Sequence, residues 1–331
     1  VWSFRDTDLD KVGTLLKGVG GAAALILLPQ FMSLFTESLG WRLAFEKMGR
    51  PVPLLGLFRV RVATEALAQT LPMGVVFCES MKPVLLGRHC GTTLQTSLAG
   101  MAARKWLLLG SQSVYIGGFA LLGFGVLNEI SHGVIGAPGL PFLVMAAALL
   151  SVAVTAVSFA VLSRGRVATR LYELLIRVRI ESFRRALIKS HQKFAETDGE
   201  LQRFFATAFS PVPNLAFLGG WLFETIETVL ILRLLGVDLT LATIGAMEVS
   251  ASFLRNIMFV VPAGLGVQDL GYLTFLRALG VPDALNVAAA FLVLKRAKEA
   301  FWAAVGYGLL ALDLRSSAPL RARIEMVQHA E

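Results

Sequence analysis

Two stretches of this chain set charged residues beside breaks in apolar segments, the arrangement from which a site for a charged ligand inside a membrane can be built. Arg255 to Asp269 reads RNIMFVVPAGLGVQD, an apolar run interrupted by Pro262, Gly264 and Gly266 and closed by Gln268 and Asp269. Proline removes a backbone donor and stops a helix part-way, and the freed backbone groups survive at membrane depth only under cover of protein or water. Glu65 to Glu79, EALAQTLPMGVVFCE, repeats the skeleton 190 residues earlier. Pro72, Gly74 and Glu79 correspond to Pro262, Gly264 and Asp269, while Glu65 corresponds to Arg255 with opposite sign. Lys82 follows the first break, and the cluster Lys295, Arg296, Lys298 and Glu299 follows the second.

Broken apolar segments at corresponding places in two halves point to a transporter site at a repeat interface. Two ordinary kinks with coincident spacing are the competing reading. Half-helix N-termini present free N–H groups and a positive dipole end, which suit a phosphate, and Arg255, Lys295, Arg296 and Lys298 would add full charge. The ligand expected is therefore a membrane lipid with an anionic headgroup. Glu65, Glu79 and Asp269 would balance these cations in the empty site, or carry a coupling proton. The repeat also makes Glu65 and Arg255 candidates for a direct ion pair, and Lys295 and Glu299, four apart, candidates for a pair on one helix.

An enzyme would need other signals. No acid-rich metal-diphosphate motif, paired zinc ligands or Ser/His pair on a known spacing occurs, so no catalytic residue, metal or cofactor is expected. Cys78 reads as a core thiol, the four histidines are scattered, and Gly110 to Ser113 reads as helix packing. Acid–base work by Glu79 or Asp269 stays open, because no spacing places a partner for either.

The chain has 331 residues, of which 55% are hydrophobic and 16% charged, too apolar for an ordinary soluble domain. Its net charge of +8 lies between apolar spans, where membrane orientation and anionic headgroups explain it better than nucleic acid does. The first apolar run, Val19 to Phe35 with a kink at Pro29, reads as a retained helix rather than a cleaved signal. Gly49 to Val62, with three arginines, reads as surface, and Ala66 to Cys78 as a re-entrant or half-helix. Trp106 to Leu127 and Leu140 to Leu162 read as spans joined by a Lys/Arg-free loop, Asn128 to Gly139. Ser163 to Arg203 carries ten Lys/Arg against five acids with helical periodicity, so it is expected at the cytoplasmic surface and the loop outside. Residues 1–162 would then be one membrane half, 163–203 an amphipathic linker and 204–331 the second half.

In that second half, Val212 to Leu235 carries Glu224 and Glu227 on one side of a helix, expected to face the bundle. A short span near Leu270 to Leu279 follows. Ala284 to Leu312 is either one helix with the basic cluster at its centre or two helices with the cluster at a turn.

The run FVVPAGLGVQDLGY, followed by LVLKRAKE, resembles the flippase-like group of integral membrane proteins. That group holds the hopanoid-biosynthesis-associated membrane proteins and the transmembrane region of lysylphosphatidylglycerol synthases. Glu65, Leu71-Pro72, Glu79, Lys82 and Leu85-Leu86 extend the resemblance, although Asp269, Lys82 and Lys298 replace the group's usual Glu, Arg and Arg. Phe77-Cys78 stand where it has a Gly pair and Ala68-Gln69 where an Asn pair is common. The resemblance implies lipid movement in a bacterial inner membrane, with a link to hopanoid or other envelope-lipid synthesis. The expected fold is all-α and polytopic, in two related halves arranged as an inverted repeat. A membrane-embedded lipid-modifying enzyme and a scaffold for lipid synthesis are the alternatives.

Overall fold

The computed structural model describes residues 6–71, 74–177, 191–207, 211–257 and 266–328, with 75, 134, 135, 253–257, 267 and 314–328 described by backbone alone. Helices joined by short turns make up the fold, and no strand occurs among the described residues. The first is α1, Leu9–Val19, which starts where the Asp8 carboxylate accepts from the Asp10 and Lys11 amides. A 3₁₀ segment, Gly20–Ile26, leads into α2, Leu27–Lys47. The expected kink at Pro29 is thus replaced by a tighter segment entered at Gly20, φ 49°. Pro29 itself stands in the first turn of α2.

Helices α3, Leu54–Thr70, and α4, Gly74–Cys90, flank the first break and fold back on each other as a hairpin. Glycine permits the close approach at both ends. A Cβ on Gly56 would lie 2.6 Å from the His89 carbonyl, and one on Gly74 would run into the Leu67 carbonyl. The expected surface segment Gly49 to Val62 is instead largely core: Leu57, Val60 and Val62 are buried and the Arg61 side chain is only 14% exposed.

Helix α5, Leu94–Leu122, begins twelve residues before the expected span at Trp106, which draws Arg104 and Lys105 into it. At Gly123 the chain bends by 72° into α6, Phe124–Ile135. The expected loop Asn128 to Gly139 is therefore mostly helix, ended by Gly136 at φ 75°. Helix α7, Leu140–Leu162, has the predicted bounds, and Phe142, Leu149, Leu150 and Val157 point away from the protein as a lipid-facing surface requires. The basic linker contains α8, Val167–Leu175, and α9, His191–Ala206; residues 178–190, on which much of its predicted apolar face falls, lie outside those described. Phe204 and Phe205 of α9 pack into the core beside Phe45 and Leu57.

In the second half α10, Pro211–Leu234, packs along α2, and α11, Leu241–Ile257, and α12, Val267–Ala278, follow, with residues 258–265 between them outside those described. Glu248 meets Tyr272 across these two, so they too run antiparallel. Helix α13, Ala284–Gln328, is continuous through the basic cluster. Asn286 near its start accepts from the Asp8 amide, and Asp313 bonds His89 at the open end of the first hairpin. Those two positions lie about 40 Å apart at 1.5 Å per residue, more than the roughly 30 Å hydrocarbon thickness. The second hairpin opens at the other end, where Leu276 and Val287 share a core cluster. The two hairpins thus enter from opposite ends of α13, and Lys295 to Glu299 sit near its middle.

Among the described residues, three helical stretches are long and apolar enough to cross a membrane, or four if the pair bent at Gly123 counts as one. The hairpins and α13 fall outside that count because breaks and charges interrupt them. The chain is a multi-pass membrane protein.

Two expectations follow. Gly306 packs α13 on α3, where a Cβ would stand 2.6 Å from Ala66 Cβ and 2.7 Å from the Val62 carbonyl, whereas nothing lies within 4 Å of one at Gly308. Gly306→Ala should lower unfolding stability in detergent by about 1–3 kcal/mol while Gly308→Ala does not; equal effects would contradict the contact. Exposed His132 on α6 and Lys193 on α9 lie at opposite ends of the bundle. With Cys78 and Cys90 replaced, His132→Cys should label from outside cells and Lys193→Cys only after permeabilisation, and the reverse pattern would invert the orientation.

Candidate functional site at the bundle centre

The site is built from charges that the helices carry to mid-depth, and it has one cluster in each half. In the first, the Glu37 carboxylate on α2 accepts from Arg61 on α3 at 2.7 Å and from Arg104 on α5 at 2.9 Å. Arg61 also bonds Glu65 one turn on, and Gln69 donates to the other Glu65 oxygen at 2.8 Å. Arg104 lies 5.4 Å over the Trp41 ring. On α4, Glu79 accepts from Lys82 at 2.6 Å and faces Lys105 on α5 at 3.4 Å.

In the second cluster, Glu227 on α10 accepts from Lys298 at 2.9 and 3.0 Å, and Lys298 also donates to Gln30 of α2 at 3.0 Å. Glu248 accepts from Thr228 at 2.5 Å and from the Tyr272 hydroxyl at 2.9 Å. That hydroxyl in turn accepts from Lys295 at 2.6 Å and Gln268 at 3.0 Å. Lys295 also lies 4.6 Å over the Tyr272 ring, a second way of holding a cation away from water. Arg296 donates to Asp269 at 2.7 Å and to Glu299 at 2.6 Å. Glu299 is therefore held by Arg296, in place of the expected Lys295.

Asp269 has a second role at the start of α12, where its other oxygen accepts from the Gly266 amide at 3.0 Å. Gly266, φ 86°, adopts a conformation that favours glycine. The half-helix N-terminus expected to hold a phosphate thus carries the chain's own carboxylate.

Of the residues singled out by sequence, Glu79 and Lys82 come together, as do Asp269, Arg296 and Glu299, and Gln268 joins Lys295 through Tyr272. Lys298 turns away from these to Glu227. Pro262, Gly264 and the Arg255 side chain lie outside the described residues, so the expected Glu65–Arg255 pair does too. What Glu65 is seen to bond is Arg61.

Sequence reading missed Glu37, Arg61 and Arg104 as site residues and left Glu248 and Tyr272 unmarked. The 190-residue spacing carried the signal: it relates Glu37 to Glu227 and Lys105 to Lys295 as it relates Glu79 to Asp269. The bonds follow the same relation. An acid on the first long helix of each half meets a cation on the helix that follows the hairpin, Glu37 with Arg104 of α5 and Glu227 with Lys298 of α13. The acid of each second hairpin helix also meets that helix, Glu79 with Lys105 and Asp269 with Arg296.

A cavity of about 680 Å³ lies elsewhere, at the Ala284 end between Asp10, Lys11, Asp238 and Asp283. Buried charge, not volume, marks the central site.

Glu227 and Lys298 are both almost wholly buried, so removing either leaves the other uncompensated. Glu227→Leu or Lys298→Met should each lower stability by about 3–5 kcal/mol, and the two together should cost less than either single change. Thermal unfolding in detergent measures this double-mutant cycle; additive losses would show that the two side chains are not coupled.

A family described as the lysylphosphatidylglycerol synthase transmembrane region matches residues 1–294. No curated protein and no solved structure gives a significant match. The matched part holds the first charge cluster and both hairpins, and it ends one residue before Lys295. Its setting is lipid metabolism or transport, and with a match over most of its length this chain belongs to the lysylphosphatidylglycerol synthase transmembrane-region family.

Proposed function

We propose that the chain binds a lipid with an anionic, phosphate-type headgroup at the interface of two inversely related halves and carries it between leaflets. The observation that carries this reading is the pair of acids Glu37 and Glu227. Each is buried and salt-bridged to the helix that follows the hairpin of its own half. Buried ion pairs are poor stabilisers, and charges within a membrane are expensive, so their presence in both halves points to a pathway for a charged group. Hairpins entering from opposite ends fit two halves of opposed orientation, an arrangement suited to exposing a central site alternately to each side.

The family's description names the synthase of a phosphate-bearing lipid, which supports the substrate class. The reading assigns the chain no chemical step of its own. A bacterial inner membrane and a link to hopanoid or other envelope-lipid synthesis belong to the same proposal and rest on the resemblance.

Purified chain in liposomes with fluorescent phosphatidylglycerol or phosphatidylcholine tests it. Faster bilayer crossing of the anionic lipid than in protein-free vesicles, with its mass unchanged, is expected. Crossing no faster than in those vesicles would reject transport, and a lipid altered in mass would assign an enzyme instead.

A further inference from the structure

Resting on that reading, we infer that the headgroup phosphate binds in the first half among Lys82, Arg104 and Lys105, displacing the Glu79 carboxylate, which serves in the empty protein as a built-in anion. Charge balance separates the two halves. In the second, each described cation is engaged: Lys295 by Tyr272 and Glu248, Arg296 by Asp269 and Glu299, Lys298 by Glu227 and Gln30. Three cations there face four carboxylates. In the first half, Arg61, Lys82, Arg104 and Lys105 face only Glu37, Glu65 and Glu79 among the described side chains.

That surplus has a location. Arg104 is 6% exposed, and its Nε finds no hydrogen-bond partner among the described residues; nor does the buried second oxygen of Glu79. Burying such groups without partners is costly, and a phosphate, with more acceptor oxygens than a carboxylate, could take the free Arg104 donor together with the two lysines. Arg104 acts electrostatically on both Lys82 and Glu79, so the three groups share one field. Access is provided by Lys105, whose side chain is 53% exposed while Lys82 behind it is buried. Glu79 is also the releasable acid of the two related by the repeat. Lysines alone hold it among the described residues, whereas Asp269 is fixed by an arginine and by the amide that starts α12.

The site predicts changes of opposite sign. The full chain in phosphatidylcholine nanodiscs is titrated with phosphatidylglycerol, and bound lipid is counted by native mass spectrometry. Lys82→Gln and Lys105→Gln should each weaken binding about tenfold, the scale of one lost charge-assisted hydrogen bond, while Glu79→Gln should tighten it severalfold. Lys11→Gln, at the distant end cavity, should leave it unchanged. Lys105 is partly exposed, so its variant keeps the test valid if Lys82→Gln does not fold.

Weaker binding in Glu79→Gln, or loss in Arg296→Gln with Lys82→Gln and Lys105→Gln unaffected, overturns this placement and leaves lipid binding standing. No preference of the unaltered chain for phosphatidylglycerol over phosphatidylcholine instead removes the functional reading beneath it. Inorganic phosphate that displaces the lipid at equal concentration overturns the assignment to a lipid and gives the site to the free anion.

Discussion

Lys298 is buried within α13, and burying a cation is costly unless an acid meets it there. Glu227 does so from α10, and Gln30 takes a further proton of the same ammonium from α2. This one group therefore ties three helices, two from the second half and one from the first. Glu37 does the equivalent from α2, reaching α3 through Arg61 and α5 through Arg104. Because α2 and α10 also pack along each other, the two acids stand on adjacent helices at the centre of the molecule. The helices cannot slide independently without separating a buried acid from its cation, at a cost of several kcal/mol.

The hairpins are the second constraint. At mid-membrane depth a break exposes backbone groups that lipid cannot satisfy, so each needs cover. In the first hairpin cover comes from close backbone approach: Gly74 lies against the turn that ends α3, and Gly306 lets α13 press on Val62 and Ala66. In the second, the start of α12 is closed by Asp269, which Arg296 of α13 then holds. Both solutions draw on α13, which explains why a helix with three cations at its centre is retained. Its length supplies surface to both halves, and its charges neutralise acids from each of the last three helices before it.

The first broken segment was legible because Pro-x-Gly and its flanking acid leave a pattern in the residues themselves. Leu140–Leu162 was legible because a long apolar run between turns has one reading. Arg61 and Arg104 were not, since an arginine between apolar residues reads as a surface position until its acid partner is known. Glu37 supplies that partner from outside both segments. The stretch Asn128 to Gly139 was misread for a related reason. Its glycines and polar residues suggested a loop, yet Leu127 and Ile130 face the core and hold α6 as a helix after the bend. Similarly, the pairing of Lys295 with Glu299 rested on spacing alone, and spacing allows i,i+3 as well as i,i+4; Arg296 takes the acid because Lys295 is drawn to Tyr272 on a different helix.

The halves agree in where they put charge and differ in how firmly they hold it. Arginine offers a rigid fork that can serve two carboxylates at once, as Arg296 serves Asp269 and Glu299 and as Arg61 serves Glu37 and Glu65. Lysine is a point charge on a flexible stem, which exchanges one anion for another with little loss of geometry. Glu79 lies between two lysines, one buried and one half in the open. The remaining acids described in the clusters are fixed by an arginine, by a buried lysine that binds bidentately, or by a hydroxyl network. In this chain the frame is built from arginine–carboxylate and buried lysine pairs, and Glu79 is the cluster acid that, among the described residues, two separate lysines bridge.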